Sequence, residues 1–197
     1  MRFVSNRSTG RMGYRLAEVA RDRGARVILV SGPTELKAPS GVEFLGVRSA
    51  EEMARVVGER GTTASIVAMA AAVSDYRPAS VAAQKLKKGD GALSIELVRT
   101  PDILRGLGAS KGSRFLVGFA AETEGLRENA RKKRAEKNLD LIVANDVTAP
   151  GAGFAHDTNV VTIIDRTGAA EALPLLPKYD VGQRILDRVA ALLHQKS

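Results

Sequence analysis

The sequence predicts an α/β fold: a doubly wound, Rossmann-like, mostly parallel sheet with helices on both faces. Two observations predict it. Apolar runs of strand length recur along the chain, among them Val27-Ile28-Leu29-Val30 and Ile66-Val67-Ala68-Met69. Stretches with helical spacing of apolar residues separate them. A strand that is apolar on both faces belongs in a parallel sheet covered from two sides by helices. Such a sheet binds ligands beyond the carboxyl ends of its strands.

The elements follow in order. Residues 12–23 read as a helix ended by Gly24. Residues 26–31 form a buried strand closed by Gly32-Pro33, and residues 42–47 a second strand. Residues 50–59 are a helix with Ser49 as N-cap and Glu52 three residues on, the pattern of a capping box. Residues 65–69 are another buried strand, and residues 93–98 alternate as a strand does. Residues 101–107 begin a helix with Pro101 at its first position. Strand 115–119, helix 126–137, strand 139–144, a late strand at 160–164 and a closing helix at 181–194 complete the pattern. Asp75, Glu122 and the pair Asn145-Asp146 follow strands, so the carboxyl ends predict a polar crevice. Segments 80–91 and 148–158 are rich in small or polar residues and read as mobile. No repeat or linker interrupts the chain, which reads as one domain over residues 1–197.

Composition bounds the function. A chain of 197 residues can bury a substantial core, and 44% hydrophobic content argues against disorder. With aromatics at 4% and no Trp, that core is built of Val, Leu, Ile and Ala. The absence of cysteine removes disulfides and thiolate metal sites. No apolar run approaches the ~18 residues of a membrane span, and no signal peptide is evident, so a cytoplasmic location is expected. The net charge of +8 suits a pocket for phosphorylated substrates. Scattered basic residues with few aromatics do not point to nucleic acid.

Several motifs carry two readings each. Ser5-Asn6-Arg7-Ser8-Thr9-Gly10-Arg11-Met12-Gly13 is a polar, glycine-punctuated loop running into a helix. It is either a helix start capped by Ser8 or Thr9, or an anion site built from free N–H groups and the helix dipole. Lys85-Leu86-Lys87-Lys88 is a solvated loop or a basic flap. Leu126, Ala130, Lys133 and Lys137 share one helix face, so the lysines either snorkel or meet an anion. Asp75 and Pro101-Asp102-Ile103-Leu104 serve as ordinary caps or as ligand contacts, and Phe119 as core or pocket lining.

Taken together, and in this order, the loop, Ala70-Ala71-Ala72-Val73-Ser74-Asp75-Tyr76, Lys85-Leu86-Lys87-Lys88, Thr100-Pro101-Asp102-Ile103-Leu104, Gly118-Phe119-Ala120-Ala121-Glu122-Thr123 and the stretches around Lys133–Asp140 and Ala144-Asn145-Asp146-Val147 resemble bacterial phosphopantothenoylcysteine synthetase. The resemblance spans nearly the whole chain. It implies a ligase joining 4′-phosphopantothenate and L-cysteine with CTP, through an acyl-cytidylate, in coenzyme A biosynthesis. It implies Asn6 and Lys85 as catalytic residues, and Arg2 beside Asn6 on the substrate. The nucleotide would meet Ala70, Ala71, Asp75, Lys85, Pro101, Asp102, Ile103, Leu104, Phe119, Lys133 and Lys137. Mg²⁺ near Asp75, a homodimer and an upstream flavin-dependent decarboxylase domain are implied as well. The family begins with a strand and a glycine–threonine loop ahead of Arg2. Their absence before this point implies a missing first strand and a misplaced or trimmed start at Met1.

Rival functions have less support. No G-x-G-x-x-G or Tyr-x-x-x-Lys favours a nicotinamide-dependent reductase, and no G-x-x-x-x-G-K-[ST] favours a P-loop NTPase. No Gly-x-Ser-x-Gly suggests a serine nucleophile. His156 and His194 stand too far apart in sequence to suggest a metal pair. An inactive nucleotide-binding fragment is the remaining alternative.

Overall fold

The computed structural model describes residues 5–6, 8–81, 84, 94–122, 125–153 and 156–195, without the side chain of Glu122. Arg2 and Lys85 therefore lie outside the described residues. The chain folds as α1 (Arg11–Asp22), β1 (Ile28–Ser31), β2 (Glu43–Gly46), α2 (Ala50–Gly61), β3 (Ile66–Met69), β4 (Tyr76–Pro78) and β5 (Leu97–Arg99). It continues with α3 (Ile103–Ala109), β6 (Phe115–Glu122), α4 (Leu126–Glu136), β7 (Leu141–Asp146), β8 (Thr158–Asp165), β9 (Ala170–Pro177) and α5 (Lys178–His194).

The central sheet has the order β3-β6-β7-β8-β9. It is parallel through β3, β6 and β7, then antiparallel through β8 and β9. Alternation along β6 and β7 divides the core in two. On one face Leu116, Ile142 and Ala144 pack with Met53 and Val57 of α2, Ile103, Leu104 and Leu107 of α3, and Ala130 of α4. On the other, Phe115, Val117, Leu141 and Val143 pack with Leu16 of α1 and Val181, Ile185 and Val189 of α5. The expected doubly wound α/β arrangement is thus present.

Two glycines set how closely the layers approach. A Cβ on Gly118 would lie 2.6 Å from Leu139 Cδ1 and 2.9 Å from Leu104 Cδ2, so the bare backbone lets α3 lie against β6. A Cβ on Gly182 would come within 3.1 Å of Val19 Cγ2, which is how α5 seats on α1.

Several expectations need correction. The strands at 26–31 and 65–69 are not fully buried: β1 is half-buried throughout and Ile66 of β3 is 39% exposed. Each pairs on one edge only among the described residues, β1 with β2 and β3 with β6. Pro101 precedes the cap of α3 and is not its first residue. Asp102 is the N-cap, its carboxylate accepting the Arg105 N–H at 3.0 Å, and this sets the start at Ile103. The strand β9 was not foreseen, because Pro174 breaks the pattern; as an edge strand it tolerates proline. Segment 148–158, expected to be mobile, is tied down at its described residues 148–153; residues 154–155 lie outside the described residues. Asp146 accepts from Thr148 N (2.9 Å), Ala152 N donates to Ala149 O (3.0 Å), and Ala152 and Gly153 are buried.

Candidate functional site at the carboxyl ends of the parallel strands

The polar loop ahead of α1 lies against the exit of β3. Asn6 is exposed, and its Nδ2 donates to the carbonyls of Ala72 (3.3 Å) and Val73 (3.2 Å). Nitrogen is thereby committed to the protein, which leaves Oδ1 as the acceptor the side chain can offer a ligand. The cap of α1 is Gly10 at φ 75°, which brings no side-chain hydrogen bond to the helix start. Neither Ser8 nor Thr9 acts as N-cap, so the first N–H groups of α1 are not satisfied in that way. Gly13 lies so near Ala70 that a Cβ there would be 3.6 Å from the Ala70 Cβ. Asn6, Ala70, Ala71 and the open helix end therefore share one corner.

A chain of contacts extends this corner. Thr100 Oγ1 donates to Ser74 O (2.5 Å), and Thr100 N donates to Asp75 O (3.0 Å). The exposed Asp75 carboxylate is thus held next to the strand that leads into α3. Two residues on, Asp102 receives Lys137 Nζ at 2.9–3.0 Å. Burial alone would raise the Asp102 pKa, but the hydrogen bonds from Lys137 and Arg105 N outweigh it and hold the carboxyl below its ordinary value. Lys137 caps the end of α4 with its side chain 18% exposed, and Lys133 sits one turn earlier, half-buried. Ile103 and Leu104 point into the core, so they offer a ligand only backbone. Phe119 follows Gly118, the partner of Met69, and packs half-buried on the α1/α5 side.

Residues 1–193 match the family described as DNA/pantothenate metabolism flavoprotein C-terminal domain. The chain belongs to this family. It is 52% identical over 196 residues to the coenzyme A biosynthesis bifunctional protein CoaBC of Bacillus subtilis, covering 99% of this chain and 48% of that protein. The corresponding protein of Escherichia coli K12 is 44% identical over 202 residues, covering 100% and 49%. The chain thus spans about half the length of the curated relatives it matches. The crystal structure of a C-terminal domain of CoaBC superposes with a TM-score of 0.85 at 44% identity, covering 99% of this chain and 90% of that one.

One further polar group lies at this end of the sheet. Asn145, opposite Ala121 of β6 and Val161 of β8, is next to last in β7 and faces the α1/α5 side. It is 9% exposed, and its Oδ1 is buried without a hydrogen-bond donor among the described residues. Buried carbonyl oxygens are nearly always satisfied, so this one is suited to a donor from a ligand or a water. The signal was present in sequence as an amide ending a wholly apolar strand. Lys133 makes no contact with Asn6 or Asp75 among the described residues. No cluster of three or more His, Cys, Asp or Glu residues forms a metal cage among them, and no helix is long and apolar enough to cross a membrane.

Proposed function

We propose that this chain is a phosphopantothenate–cysteine ligase acting in coenzyme A biosynthesis. The observation that carries the reading is the contact path from Asn6 through Ala72, Val73 and Ser74 to Thr100, Asp102 and Lys137. It joins four of the sequence motifs into one crevice. The reaction is amide formation between 4′-phosphopantothenate and L-cysteine, driven by CTP. A carboxylate oxygen attacks the α-phosphorus, the bond to pyrophosphate breaks, and an acyl-cytidylate forms. The cysteine amine then attacks the acyl carbon, loses a proton, and releases CMP.

The residues suit this chemistry. Asn6 Oδ1 accepts from the acyl-nucleotide while its Nδ2 stays bonded to the β3 exit. The uncapped start of α1 favours an anionic group. Lys137, Lys133 and Lys85 neutralise the triphosphate, with Lys137 shared between nucleotide and Asp102. The nucleotide also meets Ala70, Ala71, Phe119 and the backbone of residues 101–104, and Arg2 meets the acyl substrate. A single exposed carboxylate at Asp75 fits a water-rich Mg²⁺ held mainly by phosphates, which would offset charge on the departing pyrophosphate. The reading includes a homodimer in the cytoplasm, with a flavin-dependent decarboxylase domain as its usual neighbour.

Pyrophosphate release with CTP, 4′-phosphopantothenate and cysteine tests it. Asn6→Asp places a charge beside an anionic intermediate and should lower kcat by about 10²-fold or more, with little change in CTP affinity. Near-normal turnover in Asn6→Asp would remove Asn6 from the chemistry. Hydride transfer from NADPH without pyrophosphate release would favour a reductase.

A further inference from the structure

Lys178 is the first residue of α5, yet it is only 3% exposed. Its position is costly in three ways. The ammonium is buried, it stands at the positive end of a helix dipole, and Arg11 is close enough to repel it. Burial and Arg11 push its pKa down, and Asp157 opposes them. An apolar side chain would fill the space without these penalties. What the lysine gains is bonding to one segment. Nζ donates to Gly153 O at 2.9 Å and to His156 O, while its backbone N–H donates to Asp157 O at 2.8 Å.

That segment grips the other side of the crevice. Asp157 pairs with Arg11 at 2.8 Å, and Arg11 is the first residue of α1, directly after the polar loop. Asn159 strengthens the link: Nδ2 donates to Met12 Sδ at 3.8 Å, and Oδ1 accepts from Gly153 N at 3.4 Å. The same segment starts at Asn145 and Asp146, where β7 enters the crevice. Lys178 therefore ties both together: its ammonium holds the loop after β7 at Gly153 and His156, and its backbone N–H holds Asp157, the partner of Arg11 at the start of α1.

We propose that Lys178 is a positioning residue: it holds Gly153, His156 and Asp157 so that Asp157 and Arg11 keep the anion-facing start of α1 in register with the end of β7. It acts through Arg11 and touches no substrate. The kinetic consequence rests on the ligase reading above; the structural coupling does not.

The test combines hydrogen exchange with steady-state kinetics on the whole chain. Lys178→Met keeps the stem and removes the charge. Exchange should quicken together at residues 148–153 and at Tyr14 N, the amide that closes the first turn of α1 on Gly10 O, while the central amides of β6 and β7 stay protected. KM for CTP or 4′-phosphopantothenate should rise about tenfold, with kcat changed far less, since displaced binding groups cost affinity and orientation. Asp157→Asn leaves Lys178 in place, and its side chain is 73% exposed, so it folds independently of the buried site. It should loosen the first turn of α1 but not residues 148–153. Loss of protection throughout the core in Lys178→Met with KM unchanged overturns the proposal. So does unaltered exchange at α1 in Asp157→Asn, including where Lys178→Met fails to fold. Coupled exchange in a wild-type chain that releases no pyrophosphate would uphold the positioning role and reject the ligase reading.

Discussion

Strands β3 and β7 have nearly the same composition and opposite environments. Ile66-Val67-Ala68-Met69 alternates between exposed and half-buried, whereas Leu141, Ile142, Val143 and Ala144 are each 0% exposed. Both lie in the parallel part of one sheet and both support the crevice. The difference is neighbours: β7 is paired on both edges by β6 and β8, and β3 on one edge only among the described residues. The edges of β1 and β3 that are unpaired among the described residues lie under the same helices. Val30 and Met69 join one core cluster with α2, and α1 touches both strand ends through Tyr14–Ser31 and Gly13–Ala70. An apolar strand is buried by its partners, and its composition only makes burial favourable.

The same truncation on the two strands should measure this contrast. Ile142→Ala should cost about 3–5 kcal/mol, because it opens a cavity in closed packing. Ile66→Ala should cost less than about 1 kcal/mol, since much of that side chain is already hydrated. Urea unfolding of both variants checks it, and equal losses would mean that β3 is as enclosed as β7.

At the end of β7 the comparison reverses, because the closed half carries a buried polar group without a partner. Replacing Asn145 by Leu should stabilise the fold by about 1 kcal/mol while weakening nucleotide or substrate binding. Loss of both stability and binding would mean that Oδ1 is satisfied within the protein. The smallest effect concerns Asp165, 0% exposed at the far end of β8. Burial pushes its pKa up, but the hydrogen bonds from Thr167 and Arg188 prevail and hold it below the ordinary carboxylate value. A depressed folded value adds stability above the unfolded pKa of about 3.9, and that stability is lost as pH falls through the folded value. Asp165→Asn should therefore be less stable than the parent at pH 7, and the gap should shrink below pH 4. A gap that stays constant from pH 7 to pH 3 would assign the cost to geometry alone.

Local signals in the chain were read correctly where the physics is local. Ser49 caps α2 and accepts from Glu52 N at 3.1 Å, as the capping-box pattern implied, although Glu52 reaches back to Arg48 N instead of Ser49 N. The core face of α4 follows from the four-residue spacing of Leu126 and Ala130. The grouping of Asn6, residues 70–75 and 100–104 and Lys137 was legible only through resemblance, since nothing in their spacing brings them together. Of the two readings of the loop ahead of α1, capping by Ser8 or Thr9 is not the one the fold adopts, although both are good N-cap residues; backbone geometry selects Gly10 instead.

By itself the sequence determined the α/β class, the order of the helices and main strands, and the family. The class and the order of elements follow from periodicity and caps, which act over a few residues, and the family from the resemblance of motifs taken in order. Only the tertiary structure decided that β3 is half-exposed, that Lys137 is held by Asp102, that Asn145 Oδ1 is buried without a donor among the described residues, and that Lys178 is buried against Gly153, His156 and Asp157. Each of these depends on which distant segment arrives alongside. Burial and pairing are properties of neighbours, and neighbours far apart in the chain leave no local periodicity by which they can be found.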